Sequence, residues 1–394
     1  MKKNLLLIGA FLLCVNIVFG QWQKTSGPAN GYVEGIAVLD TTVFACTYSG
    51  GVFSSVDDGN SWNAVNNGLG DLYVNCIIAV DSTIFAGTLF DGVYLSTNKG
   101  SSWKQVNTGL GNTWINTFAT NGTSIFAGTN GGVFVSDLKN ISWTTSDTGL
   151  AFVNINSLAV NGQTVFAGAQ NAEIFESTNS GRTWVTADAN LVFESLIVSA
   201  ICIKNDTVFA GTTTGGVYVS YNNGGSWTTS NNGLGNLQIN TLLMKDSVTF
   251  AGTDGGIYVS NDYGASWAQR NAGLADSSVE TIAVGNNTIY AGTLSGYVYK
   301  SGTPLGINIL AAKNSSLNVY PVPSHDRITI DFNNKVSSNY HFRLLDLMGS
   351  CVLSKAGIDN NTSIDISGYA KGVYFIEVFN EKSEVIGRKK LIFE

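Results

Sequence analysis

Charge, proline and histidine are all scarce in this chain. Only 12% of the 394 residues are charged, 4 are proline and 2 are histidine. Both histidines, His325 and His341, lie near the C-terminus, so residues 21–304 contain none. This absence excludes His-ligated metal sites and Ser–His or Cys–His nucleophiles from most of the chain. We expect no metal and no other cofactor.

Long hydrophobic runs are also missing, with one exception at the N-terminus. Two lysines precede an apolar run over residues 5–19, which is shorter than the ~20 residues of a spanning helix. We interpret residues 1–20 as a signal peptide for export to the periplasm and expect no membrane span after its cleavage. Cys14 leaves a lipoprotein as the alternative, although Leu13 is a poor match to the small residue that precedes a lipid-modified cysteine.

Four further cysteines are widely spaced and include no Cys-x-x-Cys pair: Cys46, Cys76, Cys202 and Cys351. We expect small buried side chains, and a Cys46–Cys76 disulfide is the alternative. The net charge is −7, and residues 21–304 alone carry 9 Lys and Arg against 19 Asp and Glu. This acidic balance argues against a nucleic-acid partner.

One short segment recurs seven times at intervals of 40 to 43 residues. It is FACT, FAGT, FAGA or YAGT, and its copies begin at Phe44, Phe85, Phe126, Phe166, Phe209, Phe250 and Tyr290. Around one copy, strand-like segments cover 154–160, 164–168 and 174–177, and a fourth begins at Trp184. Four short strands in about 41 residues predict one blade of a β-propeller. The expected fold is therefore all-β, with a seven-bladed propeller over residues 21–304.

Tryptophan opens the fourth strand in six of the copies, and the seventh copy ends without one. The missing tryptophan is Trp22, at the start of the chain that follows the signal peptide. We therefore predict an N-terminal strand clasp, in which this strand completes the seventh blade beside residues 297–301. Such a clasp leaves no free sheet edge.

The turn before each tryptophan reads Ser-x-Asx-x-Gly-x-x-Trp in five of the six copies. A short Asx side chain can cap such a turn, and glycine accepts its positive φ. The residues are Asp57, Gly59, Trp62, Asn98, Gly100, Trp103, Asn179, Gly181, Trp184, Asn222, Gly224, Trp227, Asp262, Gly264 and Trp267. In the third copy Leu138 and Asn140 replace Asx and glycine, and we expect a distorted turn there.

The repeat resembles Asp-box (BNR) propellers, a superfamily that includes sialidases, xyloglucanase-type glycosidases, sortilin-like receptors and photosystem-assembly-factor-like proteins. In that superfamily the Asp-box lies between the third and fourth strands, away from the usual ligand site. The resemblance therefore implies a structural role for these turns.

Residues 317–394, after a linker over 305–316, form a second recognisable unit with alternating strands. Its short motifs contain Tyr320, Pro321, Pro323, Asp346, Gly349, Gly372, Tyr374 and Lys389. Their order resembles the C-terminal sorting domain of the type IX secretion system, apart from Val322 where the family usually has asparagine. The resemblance implies a small immunoglobulin-like β-sandwich, a partner in the secretion machinery, and a final location outside the cell or on its outer surface.

The propeller has few residues suited to catalysis. A sialidase binds the carboxylate of its substrate through three arginines, whereas residues 21–304 contain two, Arg182 and Arg270. The sequence therefore argues against a sialidase. A glycan hydrolase needs only two carboxylates. On the loops opposite the Asp-boxes the candidates are Asp71, Asp91, Glu194, Asp254, Asp276 and Glu280.

The same loops carry aromatic residues that depart from the repeat. They are Tyr48, Tyr73, Phe90, Trp114, Phe152 and Phe193, and with Asp91, Glu194 and Asp254 they suggest a ligand rim. Packing between blades is the other interpretation of these rings. We expect a non-catalytic binding module for a protein or glycan, with a glycan hydrolase and a simple spacer as alternatives.

Overall fold

The structure is a computed structural model that describes residues 22–150, 153–187, 191, 197–245, 248–285, 288–301, 318–322, 324–331, 340–345, 351–358, 361–379 and 385–393. These residues form two units, one up to Ser301 and the other from Asn318. Several sequence predictions lie outside the described residues, namely the signal peptide, Phe152, Phe193, Glu194, the linker, Pro323, Asp346 and Gly349.

The first unit consists of seven four-stranded antiparallel sheets among the described residues. The first three sheets contain β2 (Val33–Leu39), β3 (Thr42–Thr47), β4 (Gly51–Ser55) and β5 (Asn63–Ala64); β6 (Val74–Val80), β7 (Thr83–Thr88), β8 (Val93–Ser96) and β9 (Lys104–Gln105); and β10 (Ile115–Thr120), β11 (Ser124–Thr129), β12 (Gly132–Asp137) and β13 (Asn140–Thr145). The next three contain β14 (Ile155–Asn161), β15 (Thr164–Ala169), β16 (Ile174–Ser177) and β17 (Val185–Thr186); β18 (Val198–Lys204), β19 (Thr207–Thr212), β20 (Gly216–Ser220) and β21 (Thr228–Thr229); and β22 (Ile239–Lys245), β23 (Val248–Thr253), β24 (Gly256–Ser260) and β25 (Ala268–Gln269). The last sheet contains β26 (Val279–Val284), β27 (Ile289–Thr293), β28 (Tyr297–Ser301) and the N-terminal strand β1 (Trp22–Pro28). We number the sheets 1 to 7 in this order.

The first strands of neighbouring sheets contact one another all the way around, and β26 of sheet 7 contacts β2 of sheet 1. These strands therefore form the inner wall of a closed ring, which is the β-propeller predicted from the repeat. The first residue of each FAGT-type segment is buried between the sheets, with Phe44, Phe126 and Phe166 fully inaccessible. Burial of a large aromatic once per repeat explains why this position is always Phe or Tyr.

The N-terminal clasp is confirmed. Strand β1 pairs antiparallel with β28, so that Trp22 lies opposite Ser301 and sheet 7 gains its fourth strand. The Trp22 side chain is buried, and its indole N–H donates a 2.7 Å hydrogen bond to the carbonyl of Arg270 in sheet 6. Trp103, Trp143 and Trp227 bond in the same way to a carbonyl of the preceding sheet. Trp22 therefore occupies the seventh tryptophan position.

In sheets 1, 2, 4, 5 and 6 the fourth strand is the shortest of its sheet. Each of these five strands spans two residues, whereas β13 of sheet 3 spans six. In the five sheets the turn extends to the tryptophan, which leaves little chain to pair before the next loop. Sheet 3 has the departing copy of the motif, and there a tight turn at Leu138–Lys139 allows pairing to start at Asn140.

The second unit is a sandwich of two antiparallel sheets. One contains β29 (Asn318–Tyr320), β30 (Arg327–Asp331) and β33 (Thr362–Asp365); the other contains β31 (Tyr340–Leu345), β32 (Cys351–Ile358), β34 (Gly372–Phe379) and β35 (Val385–Phe393). Side chains from both sheets share one core, which includes Ile328, Ile330, Phe342, Leu344 and Ile376.

Cys46, Cys76 and Cys202 carry free thiols, so the alternative of a Cys46–Cys76 disulfide is not realised. Burial raises the pKa of all three thiols, and that of Cys46 lies well above its usual value. Cys46 is fully buried, as expected for a small core residue, while Cys76 and Cys202 are partly buried. In the described part of the chain no helix has the length and hydrophobicity of a membrane span.

Candidate ligand-binding face

The antiparallel sheets place their connections alternately at two ends of the ring. The turns after the second strands and the loops after the fourth strands lie at one end, which we call the loop face. The turns after the first and third strands lie at the other end, which we call the turn face. The five Ser-x-Asx-x-Gly turns belong to the turn face, and the described residues of the predicted ligand rim belong to the loop face.

Five aromatic rings make a continuous row across the loop face of sheets 1 to 3. Tyr32 stacks on Tyr48 with ring centroids 6.0 Å apart, and Tyr48 meets Tyr73 edge-on at 5.0 Å. The row continues from Tyr73 to Phe90 at 5.8 Å and from Phe90 to Trp114 at 6.0 Å. We call these five residues the aromatic row. Edge-to-face and stacked contacts at such distances stabilise aromatic clusters.

The aromatic row is exposed to solvent. The exposed fractions of Tyr32, Tyr48, Tyr73, Phe90 and Trp114 are 47%, 39%, 38%, 60% and 41%. The successive contacts from Tyr48 through Tyr73 and Phe90 to Trp114 bring together four of the residues predicted for the ligand rim. They lie side by side on the surface and are not packed between the sheets.

The repeat itself sets the positions of the rings. Tyr32, Tyr73 and Trp114 each immediately precede a first strand, while Tyr48 and Phe90 follow second strands. The backbone N–H of Tyr48 donates to the Tyr32 carbonyl at 2.9 Å, which holds these two positions together at the end of sheet 1. Tyr32 was missed because it lies before the first FAGT-type copy. Its equivalence to Tyr73 and Trp114 is the sequence signal that could have found it.

Two carboxylates support the middle of the row. Asp71 is buried and accepts the backbone N–H groups of Tyr73 and Phe90, each at 2.9 Å. Asp91 follows Phe90, and its carboxylate accepts bonds from the Tyr94 hydroxyl and, at 2.8 Å, from the Gln105 amide. Burial and the hydrogen bond to Asp91 raise the pKa of Tyr94 to about 12. Asp91 therefore belongs with the aromatic row, as predicted.

Asp254 lies elsewhere on the loop face. It follows the second strand of sheet 6, and its Oδ1 accepts bonds from Ser278 Oγ and Asn240 Nδ2, both at 2.9 Å. These partners belong to sheets 6 and 7, whereas the aromatic row occupies sheets 1 to 3. In sheet 4 the positions equivalent to Tyr32 and Tyr48 of sheet 1 are Asn154 and Gln170, whose side chains bond to each other at 2.7 Å. Among the described residues, the aromatic row thus lies at sheets 1 to 3, while these carboxylate, amide and hydroxyl side chains lie at sheets 4, 6 and 7.

Inner-wall positions carry a second polar set. The second residue of each first strand is Glu34, Asn75, Asn116, Asn156, Ser199, Asn240 or Glu280. Asn75 and Asn116 each donate at 3.0 Å to the carbonyl that begins the first strand of the next sheet. Ser199 and Asn240 make the equivalent bond. Glu34 and Glu280 are the two positions where the repeat supplies a carboxylate in place of such a donor.

Burial raises the pKa of Glu34 to about 7, and the nearby charge of Glu280 contributes to the shift. Burial likewise raises the pKa of Glu280. Ser278 Oγ bonds to Glu280 Oε1 at 2.8 Å and to Asp254 Oδ1 at 2.9 Å, so these two carboxylates share one hydroxyl. Of the predicted carboxylates, the structure therefore brings Asp254 and Glu280 together. Asp276 lies beside them and accepts the Ser278 N–H at 3.2 Å. Glu34 was not among the candidates.

The turn face contains five turns with one hydrogen-bond pattern. In the first, Ser55 Oγ donates to Asp57 Oδ1 at 2.8 Å and accepts the Gly59 N–H at 2.8 Å, while Asp57 Oδ1 also accepts the Ser61 N–H. Hydrogen bonds from Ser61 and Ser55 lower the pKa of Asp57 to about 2. The same bonds recur around Asn98, Asn179, Asn222 and Asp262.

The described residues of the C-terminal motifs lie on three strands and directly after one of them. Tyr320 ends β29 and is exposed, and Pro321 follows it. Gly372 begins β34, and Tyr374 of the same strand stacks on Phe393 with ring centroids 4.3 Å apart. Lys389 lies on β35 opposite Ile376.

Residues 318–394 match the family model of the secretion system C-terminal sorting domain. The chain thus carries a type IX sorting domain, and the protein is secreted to the cell surface or beyond it. None of the curated proteins is significantly similar to the chain in sequence.

Solved structures show the propeller fold at low sequence identity. YCF48 bound to the D1 peptide has a TM-score of 0.60 and 14% identity, with 72% of this chain and 98% of that one covered. The extracellular domain of BT4673 from B. thetaiotaomicron has a TM-score of 0.59 and 17% identity, covering 88% and 48%. PorZ, a surface component of the type-IX secretion system of Porphyromonas gingivalis, has a TM-score of 0.51 and 13% identity, covering 93% and 60%. The chain thus spans less than two thirds of the last two proteins.

Proposed function

We propose that this protein is an exported binding module that holds a protein or glycan ligand on the aromatic row without catalysing a reaction. The observation that carries the proposal is the unbroken contact of five exposed rings from Tyr32 to Trp114. Large contiguous apolar patches are uncommon on monomeric surfaces and mark interaction sites. Tyrosine and tryptophan are also the residues most enriched in binding hot spots.

The propeller is delivered by the rest of the chain. In this proposal residues 1–20 are the signal peptide, 21–304 the propeller, 305–316 the linker and 317–394 the domain that contacts the secretion machinery. Among proteins of similar fold, YCF48 has been solved with a peptide bound, which supports a binding role for such a ring. We assign the five turns on the turn face as Asp-boxes with a structural role, since their Asx oxygens bond within the turn.

A glycan hydrolase is the second candidate, and one observation favours it. Asp254 and Glu280 share the Ser278 hydroxyl, and burial raises the pKa of Glu280, as in acid–base pairs of glycosidases. Release of reducing ends from a panel of polysaccharides would support this candidate if Glu280→Gln abolished it. The binding proposal expects no release, with or without that substitution.

The binding proposal is tested by screening the mature protein against immobilised neutral polysaccharides and a randomised peptide library. Each ligand recovered is then measured against Phe90→Ala and against Leu237→Ala. Leu237 is a matched control because it is 40% exposed on a loop-face segment of sheet 6, outside the aromatic row. We expect the Phe90 variant to lose binding and the Leu237 variant to keep it. Equal binding by both variants would refute the proposal.

A further inference from the structure

We propose that the partner of the aromatic row is a protein segment that carries lysine or arginine between apolar side chains. This inference rests on the proposed function and adds the chemistry of the ligand. It follows from the distribution of charge over the two faces of the propeller, taken together with the apolar surface of the row.

In the described part of the chain, the loops of the loop face carry carboxylates and no cations. These loops are residues 29–32, 48–50, 66–73, 89–92, 107–114, 130–131, 147–150, 153–154, 170–173, 213–215, 231–238, 254–255, 271–278 and 294–296. Three cations lie on or next to strands that lead into these loops. Arg270 follows the outer strand of sheet 6 and bonds to the Gln269 carbonyl, Lys24 Nζ lies 3.2 Å from the ring centroid of Tyr297, and Lys104 precedes Gln105 on β9. The salt bridges of the described residues join none of these three to Asp71 or Asp91.

Two of the carboxylates lie within the row itself. Asp71 bonds to the backbone of Tyr73 and Phe90, and Asp91 bonds to Tyr94 and Gln105. All of these partners are neutral, so neither carboxylate is neutralised by a positive side chain. The aromatic row therefore lies beside two carboxylates, Asp71 and Asp91, whose charge no positive side chain neutralises. A ligand that brings a cation would supply the missing partner.

The cations of the propeller lie mainly on the turn face. Lys99 pairs with Asp40 and Lys300 with Asp58, at 2.8 and 2.9 Å. Arg182, Lys139, Lys204 and Lys245 also lie on or next to turns of this face. Aspartates of the same turns offset these cations, namely Asp40, Asp57, Asp58, Asp81, Asp137, Asp206 and Asp262. An anionic polysaccharide or nucleic acid would be repelled from the loop face, whose described loops carry carboxylates and no cation. The field on the loop face instead attracts a cation.

The aromatic rings suit the same ligand. Lysine and arginine side chains are attracted to the faces of tyrosine and tryptophan, and their aliphatic stems cover apolar surface. Apolar residues that flank the cation would fill the surface between Tyr48 and Trp114. A neutral glycan could stack on the rings and donate hydroxyl hydrogen bonds to a carboxylate, but it would bring no positive charge to offset Asp71 and Asp91.

The test uses the mature full-length protein and synthetic peptides. One peptide set alternates lysine or arginine with leucine or tyrosine, a second replaces each cation by glutamate, and neutral cello- and xylo-oligosaccharides are the third probe. We expect the cationic peptides to bind at least ten-fold more tightly than the glutamate peptides at low salt. The difference should shrink as the ionic strength rises, because exposed charges are screened. The change in tryptophan fluorescence on peptide binding, compared between the mature protein and Trp114→Ala, reports whether the peptide occupies the row, because the chain contains 8 tryptophans.

Charge removal on the protein gives the second arm. Asp91→Asn keeps one side-chain oxygen as the acceptor for Gln105, and its amide N–H can donate to the Tyr94 hydroxyl in place of the bond that Asp91 accepts. We expect it to weaken the binding of cationic peptides by about five-fold, as for exposed charge pairs. Asp206→Asn, on a turn of the other face, removes the same charge and should change the affinity less than two-fold. Circular dichroism confirms that both variants are folded.

The outcomes separate this inference from the proposed function. Row-dependent binding of neutral oligosaccharides, with no preference between cationic and acidic peptides, would overturn the inference and leave the binding proposal standing. If Phe90→Ala weakened the binding of none of these probes, both the inference and the proposed function would be contradicted. Concentration-dependent self-association that disappears in Phe90→Ala would identify a second copy of the chain as the occupant and would also overturn the inference.

Discussion

The indole N–H of Trp22 donates a 2.7 Å hydrogen bond to the carbonyl of Arg270, which lies 248 residues further along the chain. This contact joins the first described strand to sheet 6, and β1 at the same time completes sheet 7. The two ends of the repeat array are thereby locked together. Loss of this contact should open the ring at one place while leaving the other six sheets intact.

Trp22→Ala should destabilise the propeller by about 3–5 kcal/mol, the usual cost of truncating a buried tryptophan. Trp114→Ala is the matched control, since the same truncation at an exposed site should change the free energy of unfolding by about 0.5 kcal/mol or less. Urea denaturation followed by circular dichroism measures both. Similar losses for the two variants would mean that the clasp does not hold the ring closed.

The glycines of the five turns should be required for close contact between sheets as well as for their positive φ. Gly264 has a φ of +86°, and a Cβ there would lie 2.6 Å from Cε1 of Phe209 in the preceding sheet. Gly122 also has a φ of +86°, but a Cβ there would meet nothing within 4 Å. The two alanine variants therefore share the backbone strain and differ in the contact.

We expect Gly122→Ala to cost about 1–2 kcal/mol through backbone strain alone. Gly264→Ala should cost a further 1–3 kcal/mol because the added methyl overpacks the interface with Phe209. Thermal unfolding compares the two. Equal melting temperatures would show that the interface yields without cost.

Stability should depend on pH through Glu34. Its pKa is raised from 4.5 to about 7 in the folded protein, so folding favours the protonated form. The resulting stability is fully present below about pH 4.5 and is lost as the pH rises through about 7. Glu34→Gln removes the charge, and its side-chain amide can donate a hydrogen bond as Asn75 does.

We therefore expect Glu34→Gln to stabilise the protein at pH 8 by up to about 3 kcal/mol and to have little effect at pH 4.5. Asp81→Asn, on an exposed turn of sheet 2, controls for the loss of a carboxylate. Melting temperatures across this pH range give the comparison. A stabilisation that did not vary with pH would rule out titration of Glu34 as its cause.

The thiols of Cys46, Cys76 and Cys202 should resist alkylation in the native protein. Burial raises the pKa of each, so the reactive thiolate is rare near neutral pH. Iodoacetamide at pH 8, followed by peptide mass spectrometry, should label these three cysteines only after unfolding. Recovery of a Cys46–Cys76 linked peptide without any reductant would instead revive the disulfide.

The fold was largely predictable because the FAGT-type segment and the tryptophan recur in the sequence at nearly constant intervals. Each FAGT-type segment marks a second strand, and counting tryptophans located the clasp at Trp22. The length of only two residues in five of the fourth strands was not predicted, since pairing there depends on how far the turn extends before the chain leaves the sheet. Sheet 3, where Leu138 replaces Asx, shows the longer pairing that results when this turn is lost.

The site was predictable in part. Departures from the repeat pointed to Tyr48, Tyr73, Phe90 and Trp114, and the regular spacing of the repeat places all four at one end of the ring. The contact among them could not be predicted, since it depends on rotamers and on the angle between sheets. Asp254 was grouped with them because sequence gives the face but not the distance across it. Glu34 was overlooked because its importance comes from burial beside Glu280.

The central claim is that the aromatic row is the ligand-binding surface, and a comparison of dissociation constants tests it most directly. For any ligand that binds the mature protein, the dissociation constant is measured by calorimetry for Trp114→Ala and for Leu237→Ala. The account predicts an increase of at least ten-fold for the first variant and less than two-fold for the second. Equal affinities in the two variants would contradict it and would move the search to the polar side chains of the loop face at sheets 4, 6 and 7.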